Sequence, residues 1–193
     1  MNKKIILPAF VLMVLAQLYV PANMIIDARR ILTEGNEFKF KTAPIDPADP
    51  FRGKYIVLNF NASSAKVYDA AEWNTGDRVF VTLTTDSAGY AKIHDITAYP
   101  PPDTDDYVKA DIQYIVQDTV SYVSVSYPFD RFYMEESKAF DAELAYNESA
   151  MDTNQIAYAL VAVKKGEAAI KNVFINGLTI REAALEYQKR QTE

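Results

Sequence analysis

The chain has no cysteine, which excludes a disulfide scaffold, a thiolate zinc site and a cysteine nucleophile together. Its one histidine is His94, so a single chain cannot assemble a histidine metal cluster, and a serine triad would have one candidate base. Six glycines leave little material for a phosphate-cradling loop, and neither that motif nor a Gly-x-Ser-x-Gly elbow occurs. Basic residues are outnumbered, 20 Lys and Arg against 26 Asp and Glu for a net charge of −6. Binding driven by phosphate neutralisation is therefore not expected, and no nucleic-acid partner either. We expect no catalytic residue, no metal site and no cofactor. What the chain has is apolar material, 49% of 193 residues with 24% charged, enough for one packed domain or one domain plus an anchor.

Much of that material lies at the start. Lys3 and Lys4 precede an uncharged stretch from Ile5 to Ile26, with Asp27, Arg29 and Arg30 beyond it. As a helix it would extend about 33 Å, against a hydrocarbon thickness of about 30 Å. Gln17 and Asn23 are its polar interruptions, and Tyr19 suits the outer headgroup region. Two readings stay open. A cleaved signal peptide could end at Val20-Pro21-Ala22, whereas the length of the run and Met24-Ile25-Ile26 beyond that cut favour an uncleaved anchor. A buried helix of a soluble domain is disfavoured because the stretch has no polar face. Positive charge flanks both ends and complicates orientation.

The expected division is residues 1–33 as membrane anchor or signal segment and 34–193 as an extracytoplasmic β-rich domain. That domain would be periplasmic or at the cell surface when anchored, and secreted to the periplasm if the signal is cut. Lys3, Lys4, Arg29 and Arg30 against Asp27 give the first part +3, which leaves −9 on the second. Such a domain is expected to stay soluble and to avoid anionic lipid.

Runs with period-two alternation, rich in β-branched and aromatic residues, predict strands. They cover 37–42, 55–61, 78–84, 90–98, 108–117, 119–127, 156–163 and 168–175. In the second run Ile56, Leu58 and Phe60 share the core face, and Tyr55, Val57 and Asn59 the other. Val79, Val81 and Leu83 should likewise point inward. The 120–126 run reads as half-exposed, with serines on part of its surface. Lys164-Lys165-Gly166-Glu167 suits a tight hairpin. A helix is expected over 132–147, and another after the capping box Thr179-Ile180-Arg181-Glu182. Pro100–Asp106 must be a loop. The fold class is mainly β (α+β): an antiparallel, barrel-like sheet domain with one or two short helices, preceded by the transmembrane or signal helix.

The segment Pro44-Ile45-Asp46-Pro47-Ala48-Asp49-Pro50-Phe51-Arg52-Gly53-Lys54-Tyr55-Ile56-Val57-Leu58-Asn59-Phe60 resembles the signature of the GDYXXLXY family. Gly53, Tyr55 and Leu58 match its letters, Lys54 stands in place of the aspartate and Phe60 in place of the final tyrosine. Arg131-Phe132-Tyr133-Met134-Glu135-Glu136 is similar to a second family block, and Asn176-Gly177-Leu178 to the closing segment, so the resemblance covers roughly residues 36 to 180. It implies a membrane-anchored bacterial protein of undetermined activity that accompanies an integral-membrane partner. A cation role for the family's aspartate cannot operate at Lys54. Turn chemistry alone accounts for Asp46, Asp49, Arg52 and Gly53. On the functional reading, Asp46, Asp49, Arg52, Gly53, Tyr55, Leu58 and Phe60, with Arg131, Tyr133 and Glu135, form a recognition surface.

Other chemistry is weaker. Asp103, Asp105 and Asp106 could hold calcium but lack the glycine and glutamate of a dedicated loop, and read better as a solvated turn. Glu135, Glu136, Asp141 and Glu143 could supply paired carboxylates for hydrolysis of envelope glycan or peptide, if two faced one cleft. His94 lacks a nucleophile motif, and nothing selects a dyad from Ser63, Ser64 or Ser87 with Lys66 or Lys92. Trp73 reads as a loop anchor or an interface residue. The leading expectation is a non-enzymatic, membrane-tethered domain that binds or stabilises an integral-membrane partner. The alternatives are a carboxylate-dependent hydrolase and a small-ligand or cation-binding module.

Overall fold

A computed structural model describes residues 3–43, 55–67, 72–117, 120–151 and 155–192, with side chains described for all of these but 3–6, 136–137, 150–151 and 192. The apolar run lies in one helix, α1 (Lys3–Glu34), long and apolar enough to cross a membrane and with none of its apolar window buried against the domain. One residue, Gly35, separates it from β1 (Asn36–Ala43). A Cβ at Gly35 would stand 2.5 Å from the Ile31 carbonyl oxygen and 3.0 Å from that of Val163. Only glycine lets the helix end turn this close to the sheet.

The alternating runs become strands as their patterns require, and one becomes two. Ile56, Leu58 and Phe60 are all buried, yet the Leu58 amide donates to the Asp130 carbonyl (2.8 Å). The run therefore breaks into β2 (Tyr55–Val57) and β3 (Asn59–Phe60), which join different sheets. A turn of 3₁₀ helix at Asn61–Ser63 then carries the chain into β4 (Ser64–Val67). The strands that follow are β5 (Arg78–Thr85), β6 (Ala91–Thr97), β7 (Tyr107–Val116), β8 (Ser121–Ser126) and β9 (Arg131–Tyr133). After α2 (Glu136–Met151) come β10 (Ala157–Lys164), β11 (Glu167–Ile175), β12 (Leu178–Thr179) and α3 (Ile180–Thr192).

One antiparallel sheet runs β12-β11-β10-β1-β3 and a second β4-β8-β7-β5-β6. Parallel bridges at Lys39–Tyr90 and Val108–Gly166 stitch them into a nearly closed barrel. The second seam depends on the β10–β11 turn, where Lys165 (φ 50°) and Gly166 (φ 87°) both take positive φ, as a two-residue hairpin with the sheet's own twist demands. Its tip is pinned to β7: Lys109 N–H donates to Gly166 O (2.9 Å) and Gly166 N–H to Tyr107 O (2.9 Å).

Phe40 is fully buried at the centre of an aromatic cluster, edge-on to Phe60, Tyr127 and Phe129 at 5.2–5.5 Å. Val79, Val81 and Leu83 are buried as their phase requires. The serine-bearing β8 differs from expectation, because Val123, Ser124 and Val125 are buried in succession. The wall at Ser63, whose carbonyl the Ser124 hydroxyl approaches at 3.4 Å, covers the outer face too. The helix expected from residue 132 starts at Glu136, because Arg131–Tyr133 pairs with β2 instead. α2 and α3 pack on each other and on the first sheet through Ala139, Ala142, Ala145, Ala183 and Ala184. The capping box forms: Thr179 N–H donates to Glu182 Oε2 (2.8 Å), and Glu182 N–H to Thr179 Oγ1 (3.3 Å).

Candidate functional site

The two sequence blocks that carry the resemblance are far apart in the chain and adjacent in the fold. β2 and β9 form a two-stranded antiparallel ribbon with Tyr55 opposite Tyr133, Ile56 opposite Phe132 and Val57 opposite Arg131. Period two turns Ile56 inward, where it is 1% exposed, and leaves Tyr133 outward at 65%. The Tyr55 and Tyr133 rings lie 5.4 Å apart, and the Arg131 guanidinium sits 5.2 Å from the Tyr55 ring centre. Arg131 Nε is also 3.7 Å from Asp130 Oδ1. A hydrogen bond to Tyr133, with Asp130 and Tyr55 assisting, raises the guanidinium pKa above its ordinary value. The result is an aromatic–cation platform held by backbone pairing, its two rings tilted by 52°. Tyrosine and arginine together are the residue types that dominate interface energetics, and the guanidinium here is stacked rather than free.

Of the ten sequence-predicted site residues, the structure brings together Tyr55, Arg131 and Tyr133. Glu135 lies at the entry to α2, its carbonyl accepting the amides of Lys138 and Ala139 and its carboxylate 3.0 Å from Lys138 Nζ. Leu58 and Phe60 are core residues, Phe60 within the aromatic cluster around Phe40. Asp46, Asp49, Arg52 and Gly53 lie outside the described residues.

Sequence reasoning missed what sits beside the platform. A polar groove of about 350 Å³ runs along Asn59, Ser63, Gln113, Tyr114, Ser126 and Asp130. It is opened by a register shift in β7 between Ile112 and Tyr114, which turns Gln113 and Tyr114 outward in succession. Strand bulges of this kind re-aim side chains, and no residue type in 112–114 announces one. Asn59 was legible, as it shares the outward phase of Tyr55 and Val57.

Three of the other acids are structural ties. Asp106 Oδ1 accepts from Asn36 Nδ2 (2.6 Å), and Asp105 lies 3.7 Å from Lys165 Nζ. Asp141 accepts from Gln188 Nε2 (2.6 Å), joining α2 to α3. Among the described residues no three His, Asp or Glu side chains gather closely enough to hold a metal ion. His94 is exposed on β6, and Trp73 packs half-buried against the core.

Fold and platform define a class: a barrel-like β domain carried on an apolar N-terminal helix, with an exposed ribbon built from two distant sequence blocks. The chain belongs to the GDYXXLXY family, whose model, described as GDYXXLXY protein, matches residues 17–173. No curated protein and no solved structure matches the chain.

Proposed function

We propose that the protein is a membrane-tethered, extracytoplasmic, non-enzymatic domain that binds or stabilises an integral-membrane partner through the Tyr55–Arg131–Tyr133 platform. The observation that carries this reading is the pairing of β2 with β9, which presents a stacked arginine and an exposed tyrosine on a rigid support. Preorganised aromatic and guanidinium groups lose little entropy on binding. The apolar helix supplies the tether, and its one-residue connection to β1 holds the domain close to the bilayer.

The test is photo-crosslinking in native membranes with a photoreactive residue at Tyr133. A membrane protein should be recovered whose yield falls about tenfold or more in Arg131→Ala, as expected for loss of a central interface residue, while the circular dichroism spectrum is unchanged. Recovery of no membrane protein, or equal yield from Arg131→Ala, refutes it. Protease added outside the cytoplasmic membrane should digest the domain; protection there would place it on the other side.

A further inference from the structure

The helix carries its own irregularity at mid-depth. The uncharged stretch Ile5–Ile26 is centred close to Gln17. Pro21 lies inside α1 and has no amide hydrogen, so it cannot bond the carbonyl four residues earlier. That carbonyl belongs to Gln17. One residue therefore presents an exposed side-chain amide and a freed backbone acceptor together, in a region where water cannot satisfy either.

The same face leads to a cavity. At 100° per residue, Met24, Ala28 and Ile31 lie within about 40° of Gln17 around the helix. These three, with Arg30, Lys164 and Glu167, line a space of about 850 Å³ between α1 and the β10–β11 hairpin. From Ile26 to Glu34 the helix rises about 12 Å, so the cavity stands at headgroup level. The charged Asp27 and Glu34 complete its wall, so the hairpin stands beside the helix end, next to the face that carries Gln17.

We infer that this face seats a membrane-spanning helix of the partner, one that carries a hydrogen-bond donor at mid-bilayer depth and ends beneath the β10–β11 hairpin. The inference rests on the tethered reading above. A second copy of this chain suits the face poorly: its helix continues beyond the headgroup layer into its own β1 after Gly35, which would bring a second β domain against the β10–β11 hairpin. A helix that stops in the headgroup layer fits. The donor requirement follows from the carbonyl, and the side-chain amide can answer with either sense. Interhelical hydrogen bonds of this kind are modest in strength but specific in depth.

The experiment uses the full-length chain in its native membranes, with a photoreactive residue at Met24 on this face or at Leu15, two residues from Gln17 and so on another face. The expected result is an adduct from position 24 but not 15, mapped by mass spectrometry to a spanning segment of a multi-span protein. It should fall about fivefold in Gln17→Leu and survive in Gln17→Asn. Pro21→Ala, which restores the missing amide, should weaken it as well. Equal adducts from both positions, an adduct of twice the chain's mass, or indifference to Gln17→Leu overturns the contact while leaving the tether intact, provided extraction still needs detergent. A soluble chain beginning near Asn23 overturns the tether, and this contact falls with it.

Discussion

Two buried hydroxyls tie the stability of the fold to alkaline pH. Tyr127 is buried and donates to the Ala62 carbonyl at 2.5 Å; Tyr146 is fully buried, and the Thr42 side chain is the polar group that faces its hydroxyl. Burial pushes the Tyr146 phenol up to about 12 and the Tyr127 phenol higher. A raised folded-state pKa means that the folded chain holds its proton longer than the unfolded chain. Stability from these groups is complete below the ordinary tyrosine value near 10 and is lost as pH rises from there towards 12. Thermal unfolding followed from pH 9 to 12 should show a steep fall that is shallower in Tyr146→Phe. At neutral pH that variant should change stability by no more than about 1 kcal/mol, since the desolvation it relieves offsets the weak contact with Thr42 that it gives up. Phe40→Ala is the opposite case. It empties the centre of the aromatic cluster and should lose about 3–5 kcal/mol in denaturant titration.

Helix and strand junctions fail differently from cores, because the clash is with backbone that cannot step aside. Gly35→Ala would push a methyl group to 2.5 Å from the Ile31 carbonyl. The last turn of α1 must then unwind or part from β10. We expect a loss of about 1–3 kcal/mol, with faster hydrogen exchange at Gly35, whose amide donates to Ile31 O at 2.9 Å. Thr179→Ala removes the hydroxyl half of a formed capping box and should cost about 1 kcal/mol by thermal melt.

The same contrast explains what could be read in advance. Long alternating runs such as 78–84 and 156–163 declared themselves, because burial of one face selects their phase whatever they pair with. Two- and three-residue strands did not. Phe132 and Tyr133 looked like the start of a helix, since a three-residue strand carries no period of its own and only β2 makes Arg131–Tyr133 one. Leu178–Thr179 was hidden by its position against the cap of α3, although Asn176-Gly177 before it is a strong hairpin signal. The candidate site shared this fate in part. Tyr55, Arg131 and Tyr133 were legible as members of two blocks, but their stacking depends on a pairing between residues more than seventy apart. Nothing local records that.

The molecule as a whole separates into a part that packs and a part that does not. Among the described residues no side chain of α1 belongs to the buried core, while the barrel, both later helices and the ribbon share it. A fragment of residues 36–193 should therefore remain soluble at its acidic charge and unfold in one cooperative transition within a few degrees of the full-length chain. Size-exclusion chromatography and calorimetry would check this; a broad or absent transition would show that α1 contributes to folding as well as to attachment.

The single residue between helix and sheet has a geometric meaning for encounter. A long flexible linker lets a tethered domain sweep a hemisphere, so that contact within the membrane says little about contact above it. With only Gly35 as a joint, turning the helix about its axis turns the platform with it. On the proposed reading, a partner that gripped either surface would meet the other at an effective concentration in roughly the millimolar range. Two weak contacts arranged in this way act as one recognition event. A neighbour that matches only one of them is released at the speed of a single weak bond.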